Sequence, residues 1–208
     1  METPVLGGEP HIAWGMAARA LEGQAKSGDR GLVQPIPQGF LIAVVDGLGH
    51  GPDAAAVSDI AVSTLQGRAQ EPILSLLQSC HDALKGTRGV VMSLATIRTV
   101  DNALTWAGVG NVEGLLLREA RGTAYVKEQI LTRGGVLGYR LPPLRATTLT
   151  LEPDDLLIFA SDGIRHGFAG IGTRSDPPQR IADRILAEYG KATDDALVLV
   201  VRYLGEGQ

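Results

Sequence analysis

The apolar positions of this chain follow two different periods, and the switch between them marks out its elements. Residues 11–20 (HIAWGMAARA) alternate weakly and predict a strand, and residues 39–47 (GFLIAVVDG) form an unbroken apolar run of buried-strand type. The glycine-rich, polar stretch 22–31 (EGQAKSGDRG) between them reads as a hairpin-like loop. After Gly51 the period lengthens. In DAAAVSDIAVSTLQG, Ala54, Val57, Ile60, Ala61, Thr64 and Leu65 share one helical stripe, the alanines favour helix, and Pro52 suits its first turn. A second helix is predicted over EPILSLLQSCHDALKG, with Pro72 near its start and Gly86 as its stop.

From residue 89 the pattern returns to strands. GVVMSLATIRTV and ALTWAGVG predict a hairpin turning at Asp101-Asn102, and NVEGLLLRE, GTAYVKEQ, LRATTLTLE and DDLLIFASDG continue at the spacing of a β-sandwich. Pro177-Pro178 opens a last helix that Gly190 is expected to close as a C′ glycine, and DDALVLVVRY is a final strand. GVGNVEG (108–114) lies between strands and lacks the spacing of a dinucleotide-binding fingerprint, so it reads as a tight β-turn. Segregated strand and helix blocks imply an α+β fold in which two antiparallel sheets form a sandwich with helix pairs outside. With no repeat and no dividing linker, 1–208 reads as one domain with a core over about 12–203.

Composition narrows the function classes. Hydrophobic residues make up 44% and charged residues 20% of the 208, enough for a substantial core. A net charge of −4 with scattered Lys and Arg argues against a nucleic-acid partner or an anionic membrane surface. A single cysteine, Cys80, excludes an internal disulfide; on a helical apolar stripe it reads as a buried structural thiol. The N-terminus lacks the pattern of a signal peptide, and no run of 18 apolar residues could span a membrane, so the expectation is a cytoplasmic protein.

The chemistry-bearing residues stand at strand ends. Asp29 in SGDRG, Asp46 in VVDGLGHG, Asp162 in FASDGIRHG and Asp194-Asp195 in ATDDALVLV each sit beside an apolar run or turn. Each alone reads as a cap or turn residue. If the strands are neighbours, their ends converge, and carboxylates brought together repel unless protonated or bridged by a cation. All-oxygen ligation suits a hard ion such as Mg²⁺ or Mn²⁺. Gly47, lacking a side chain, would let its carbonyl approach such an ion, and Gly163 is a weaker instance of the same.

The ordered set of GD, DGxGHG, SDG and DDA resembles the metal-dependent serine/threonine phosphatases (PPM, or type 2C), and VVDGLGHGPDAA is most similar to their SpoIIE-type branch. The likeness spans roughly residues 12–203. It implies a sandwich flanked by helix pairs that holds two Mn²⁺ or Mg²⁺ ions at one end. Asp46 would bridge the ions, Gly47 would ligate one through its carbonyl, Asp162 and Asp194 would complete the other's set, and Asp29 would hold metal-bound water or a loose ion. Asp195 is the fallback for Asp194. Asp46 and Asp162 are the catalytic candidates, since a water between the ions would attack the phosphoserine or phosphothreonine in line. Family members with a histidine two residues after the bridging aspartate have Leu48 there in this chain, so His50, His166 or water is left as the leaving-group acid. Arg30 reads as a solvated loop residue rather than a phosphate ligand. So short a chain also resembles the stand-alone phosphatases of bacterial stress signalling, which implies phosphorylated STAS-domain proteins of a stressosome-like complex as partners. A phosphatase-like binding module without activity is the competing class; a nucleotide phosphodiesterase is disfavoured by the acidic charge and few aromatics.

Overall fold

The computed structural model describes residues 7–9, 11–119, 125–170 and 175–205. Eleven strands and three α-helices make up the described elements. The first sheet has the order β1 (Gly7–Glu9), β2 (Ile12–Arg19), β11 (Ala196–Tyr203), β10 (Leu156–Ala160), β7 (Glu113–Glu119) and β8 (Tyr125–Gln129). The second has the order β3 (Asp29–Ile36), β4 (Gly39–Gly47), β5 (Val90–Arg98), β6 (Ala103–Val109) and β9 (Thr147–Thr150). Neighbouring strands are antiparallel throughout.

The two sheets pack face to face. Side chains of alternate parity divide each inner strand between two cores. In β4, Phe40, Ile42 and Val44 enter the core between the sheets, while Leu41, Ala43 and Val45 pack under α1 (Gly51–Gly67) and α2 (Ile73–Ala83). In β11, Leu197, Leu199 and Val201 face the other sheet, and Ala196, Val198 and Val200 pack under α3 (Pro178–Tyr189). Both faces of these strands are covered, which is why they read as continuous apolar runs rather than alternating ones. Among the described residues a helix pair covers the second sheet and α3 alone the first.

Several local expectations change. Residues 22–28 do not join a hairpin: β2 and β3 lie in different sheets, so this loop crosses the sandwich edge. The segment between β6 and β7 is likewise a crossover and not a tight β-turn. The β5–β6 hairpin is present, but its loop is four residues long, with Asn102 at φ 53°. Gly190 sits at φ −63° and ψ 130° and so is not a left-handed cap; a Cβ there would lie 2.5 Å from the Leu186 carbonyl, so close approach requires it. On α1 the buried stripe runs through Ala54, Val57, Ala61 and Leu65 with Ala55 and Ser58, whereas Ile60 is exposed and Thr64 only half-buried. Cys80 is buried, its Sγ lies 3.8 Å from the Ala61 carbonyl, and burial pushes its thiol up to about 12. No helix among the described residues is long and apolar enough to cross a membrane.

Candidate metal centre

The alternation that builds the core also aims the carboxylates. Asp46 shares the parity of Phe40, Ile42 and Val44, so it continues their row at the edge of the sandwich. Asp29 is its direct cross-strand partner on β3. On the opposite sheet the chain leaves β10 through Ser161 and Asp162 and enters β11 from Asp194 and Asp195. Asp46, Asp162 and Asp194 thus line one cleft of about 630 Å³, together with Leu48, His50, Val91, Asn111 and the loop Gly134, Gly135 and Val136.

Crowding leaves an electrostatic signature. Asp46 is half-buried and its carboxyl is pushed from 3.8 to about 8, first by loss of water and then by repulsion from Asp29, Asp162, Asp194 and Asp195. Asp29 is buried and raised to about 7, mainly by desolvation; the hydroxyl of Ser161, donating to Oδ2 at 2.6 Å, partly offsets the shift. Asp194 is raised by desolvation and by Asp162. A cation bound among these carboxylates would favour their ionised forms and oppose all three shifts.

The site residues play unequal parts. Asp195 does not share the role of Asp194: its two oxygens accept from the amides of Leu21 and Gly28, each at 2.7 Å, and so tie the 21–28 crossover to β11. In the bend just before β11 the Asp195 amide donates to Asp194 Oδ1 at 2.9 Å, and Asp194 is left lining the cleft. Asp162 accepts from the Asn111 side-chain amide at 2.9 Å, and its backbone carbonyl accepts from Lys191 Nζ at 2.5 Å. Gly47 donates its amide to the Gly28 carbonyl at 3.2 Å. A Cβ on Gly47 would come within 2.3 Å of the Ala54 carbonyl and 2.7 Å of Ser58 Oγ, so the tight seat of α1 already demands glycine there. Gly163 answers to the same cause, since a Cβ would meet the Asp195 carbonyl at 1.8 Å.

His50 is the N-cap of α1 and lines the cleft, and its side chain makes no capping bond. His166 instead pairs with Glu113, Nδ1 to Oε2 at 2.9 Å, on the exposed surface. Arg30 is not solvated loop: it belongs to β3 and binds Asp59 at 2.7 Å and the Ser27 carbonyl. Sequence reasoning missed Asn111, which lay inside the supposed turn, and Arg88, whose guanidinium donates to the Leu48 carbonyl and to Asp53 and so steadies the Gly47–Gly51 loop. No short motif marks either residue; each matters only through the crossover or strand that brings it to the cleft. Among the described residues, no three His, Cys, Asp or Glu side chains stand close enough together to hold a metal ion as they are placed. The donors that meet here are hard oxygens, two of them raised to near or above neutral pH by burial and mutual repulsion, and that charge deficit fits a divalent cation.

A four-layer sandwich with strand-end carboxylates at one edge is the architecture of the type 2C protein phosphatases. The chain belongs to the SpoIIE family: the family model for stage II sporulation protein E matches residues 37–204. It is similar to the phosphoserine phosphatase RsbX of Bacillus subtilis (strain 168), 27% identical over 143 residues that cover 69% of this chain and 70% of that one. Among solved structures it resembles a chain from work on the bacterial stressosome as a modular system adapted to control secondary messenger signalling, with a TM-score of 0.83, 30% identity, and coverage of 92% and 99%. RsbX in complex with magnesium shares the fold at a TM-score of 0.84 and 22% identity, over 97% of this chain and all (100%) of that one.

Proposed function

We infer that this protein is a metal-dependent protein serine/threonine phosphatase whose single catalytic domain holds two Mn²⁺ or Mg²⁺ ions. One observation supports this above the rest: Asp46, Asp162 and Asp194 come from three different strand ends to line one cleft, with Asp29 directly behind. The residues that would hold the ions are Asp46, Asp162 and Asp194, with the Gly47 carbonyl and with Asp29 through water. Once bound, the cations would supply the Lewis acidity that activates water and neutralises a phosphoryl group.

The chain's own groups do the rest. Asn111 fixes one oxygen of Asp162 and leaves the other for a cation. Ser161 holds Asp29 inside the sandwich, where its charge repels that of Asp46 without lining the cleft. His50 is the imidazole lining the cleft, and it is the side chain available to protonate a departing seryl or threonyl oxygen. The likeness to RsbX and to the stressosome chain supports phosphoserine proteins of a stressosome-like assembly as substrates, and the reading takes these to be phosphorylated STAS-domain proteins met in the cytoplasm.

Phosphate release from p-nitrophenyl phosphate with Mn²⁺, Mg²⁺ or EDTA, in the wild type and in Asp162→Asn, tests the reading. Turnover that needs the cation and is lost in the variant supports it. A wild type that stays folded yet turns over neither p-nitrophenyl phosphate nor a phosphoserine STAS-domain protein with either ion overturns it, in favour of a binding module.

A further inference from the structure

Segment 130–146 (ILTRGGVLGYRLPPLRA) contains three arginines and no carboxylate, in a chain with 23 Asp and Glu against 19 Lys and Arg. Its residues 133–140 are pinned beside the cleft by their backbone. Arg133 donates its amide to the Gly108 carbonyl (3.1 Å) and accepts from the Gly110 amide (2.9 Å), and Leu137 exchanges two bonds with Val90 at 2.9 and 3.1 Å. Val136 and Arg140 close a small hairpin with bonds of 3.0 and 2.8 Å. Leu137 is fully buried, while Gly134, Gly135 and Val136 form one wall of the cleft.

The outward side of this rigid strap is unusual. Leu131 is 76% and Tyr139 84% exposed, although most large apolar side chains of the protein are buried. Arg133, Arg140 and Arg145 are exposed, and among the described residues their guanidinium groups make no hydrogen bond or ion pair. A tyrosine, a leucine and unpaired arginines held on an ordered backbone make the composition of an interaction surface, and little conformational entropy is left to lose on binding. The strap carries only positive charge, so an acidic surface would be attracted to this rim of the cleft.

We propose that the 130–146 strap is the docking surface for the acidic face of a folded phosphoprotein, gripping it through Leu131, Tyr139, Arg133 and Arg140 while the phosphoseryl group enters the cleft. This rests on the phosphatase reading and adds the recognition element to it. Catalysis on a small phosphate ester needs only the cleft; catalysis on the protein needs the strap as well.

The test pairs Arg133→Glu/Arg140→Glu and, separately, Tyr139→Ala with two substrates, p-nitrophenyl phosphate and a phosphoserine-bearing STAS-domain protein of net negative charge. Expected is a KM for the phosphoprotein raised about tenfold at unchanged kcat, a flatter dependence of kcat/KM on salt in the charge-reversed variant, and p-nitrophenyl phosphate turnover equal to wild type. An unchanged phosphoprotein KM overturns the proposal, and so does an equal loss on both substrates, which would mean damage to the cleft. Titration calorimetry of the same phosphoprotein gives a readout independent of turnover. Binding weakened by charge reversal supports the strap even if the wild type hydrolyses nothing, whereas unchanged binding overturns it. Two other results also overturn it: charge reversal that abolishes sedimentation with phosphatidylserine vesicles but spares phosphoprotein kinetics, and charge reversal that only converts a dimer to a monomer.

Discussion

Replacing Asp46 with asparagine should stabilise the metal-free protein while abolishing its response to metal. In the folded apo state the Asp46 carboxyl is held at about 8, against an ordinary 3.8. The folded form therefore binds a proton that the unfolded chain has already released. Stability is highest below pH 3.8 and falls as pH rises through about 8, because keeping the carboxylate ionised in place costs free energy. Taken whole, that difference corresponds to roughly 5–6 kcal/mol at about 1.36 kcal/mol per pH unit. Asp46 is only half-buried, so water screens part of the cost, and asparagine has its own desolvation to meet; about 2 kcal/mol remains. For a domain of this size that is a rise in Tm of roughly 4–8 °C at pH 8 in EDTA.

Thermal melts of wild type and Asp46→Asn between pH 4.5 and 8.5, with EDTA and then with Mn²⁺, measure it. The gap should shrink toward zero at pH 4.5, where the wild-type carboxyl is protonated too. Mn²⁺ should raise the wild-type Tm and leave the variant nearly unmoved. A variant less stable than wild type at pH 8 in EDTA, or a gap indifferent to pH, would refute the electrostatic account of the site.

Two further substitutions and one labelling experiment separate structure from chemistry. Asp195→Ala leaves the buried amide of Gly28 and that of Leu21 without their acceptor and should cost about 3 kcal/mol in urea melts, while a variant of unchanged stability would return Asp195 to the list of ligands. Gly47→Ala forces a Cβ against the Ala54 carbonyl and should cost roughly 1–3 kcal/mol whether or not metal is present, checked by melts in EDTA and in Mn²⁺. Cys80, buried and with its thiol pushed up to about 12, should resist iodoacetamide at pH 8 in the folded protein and react promptly in 6 M urea; mass spectrometry decides it.

Much of the fold was legible because the strands that matter are covered on both faces. β4 begins and ends where the apolar run 39–47 does, and α1 and α2 follow the change of period and the placement of Pro52 and Pro72. Loops were read less well. A polar, glycine-rich stretch looks the same whether it turns a hairpin or crosses from one sheet to the other, since local composition records backbone freedom and not destination. That is why residues 22–28 and 110–112 were misjudged, and why Asn111 was overlooked.

The sequence by itself determined which carboxylates stand at strand ends, because an apolar run terminated by Asp-Gly is a local statement, and the order of those motifs determined the family. Only the tertiary structure decided their roles. Asp194 and Asp195 are chemically identical neighbours, yet the bend before β11 leaves one lining the cleft and sets the other on the amides of Leu21 and Gly28. Gly47 is required by its contact with α1, a constraint from a helix that begins four residues later. The raised carboxyls of Asp29 and Asp46 belong to no single residue: they come from burial and from mutual repulsion, between Asp46 and its strand partner Asp29 and with Asp162, Asp194 and Asp195 of the facing sheet's edge.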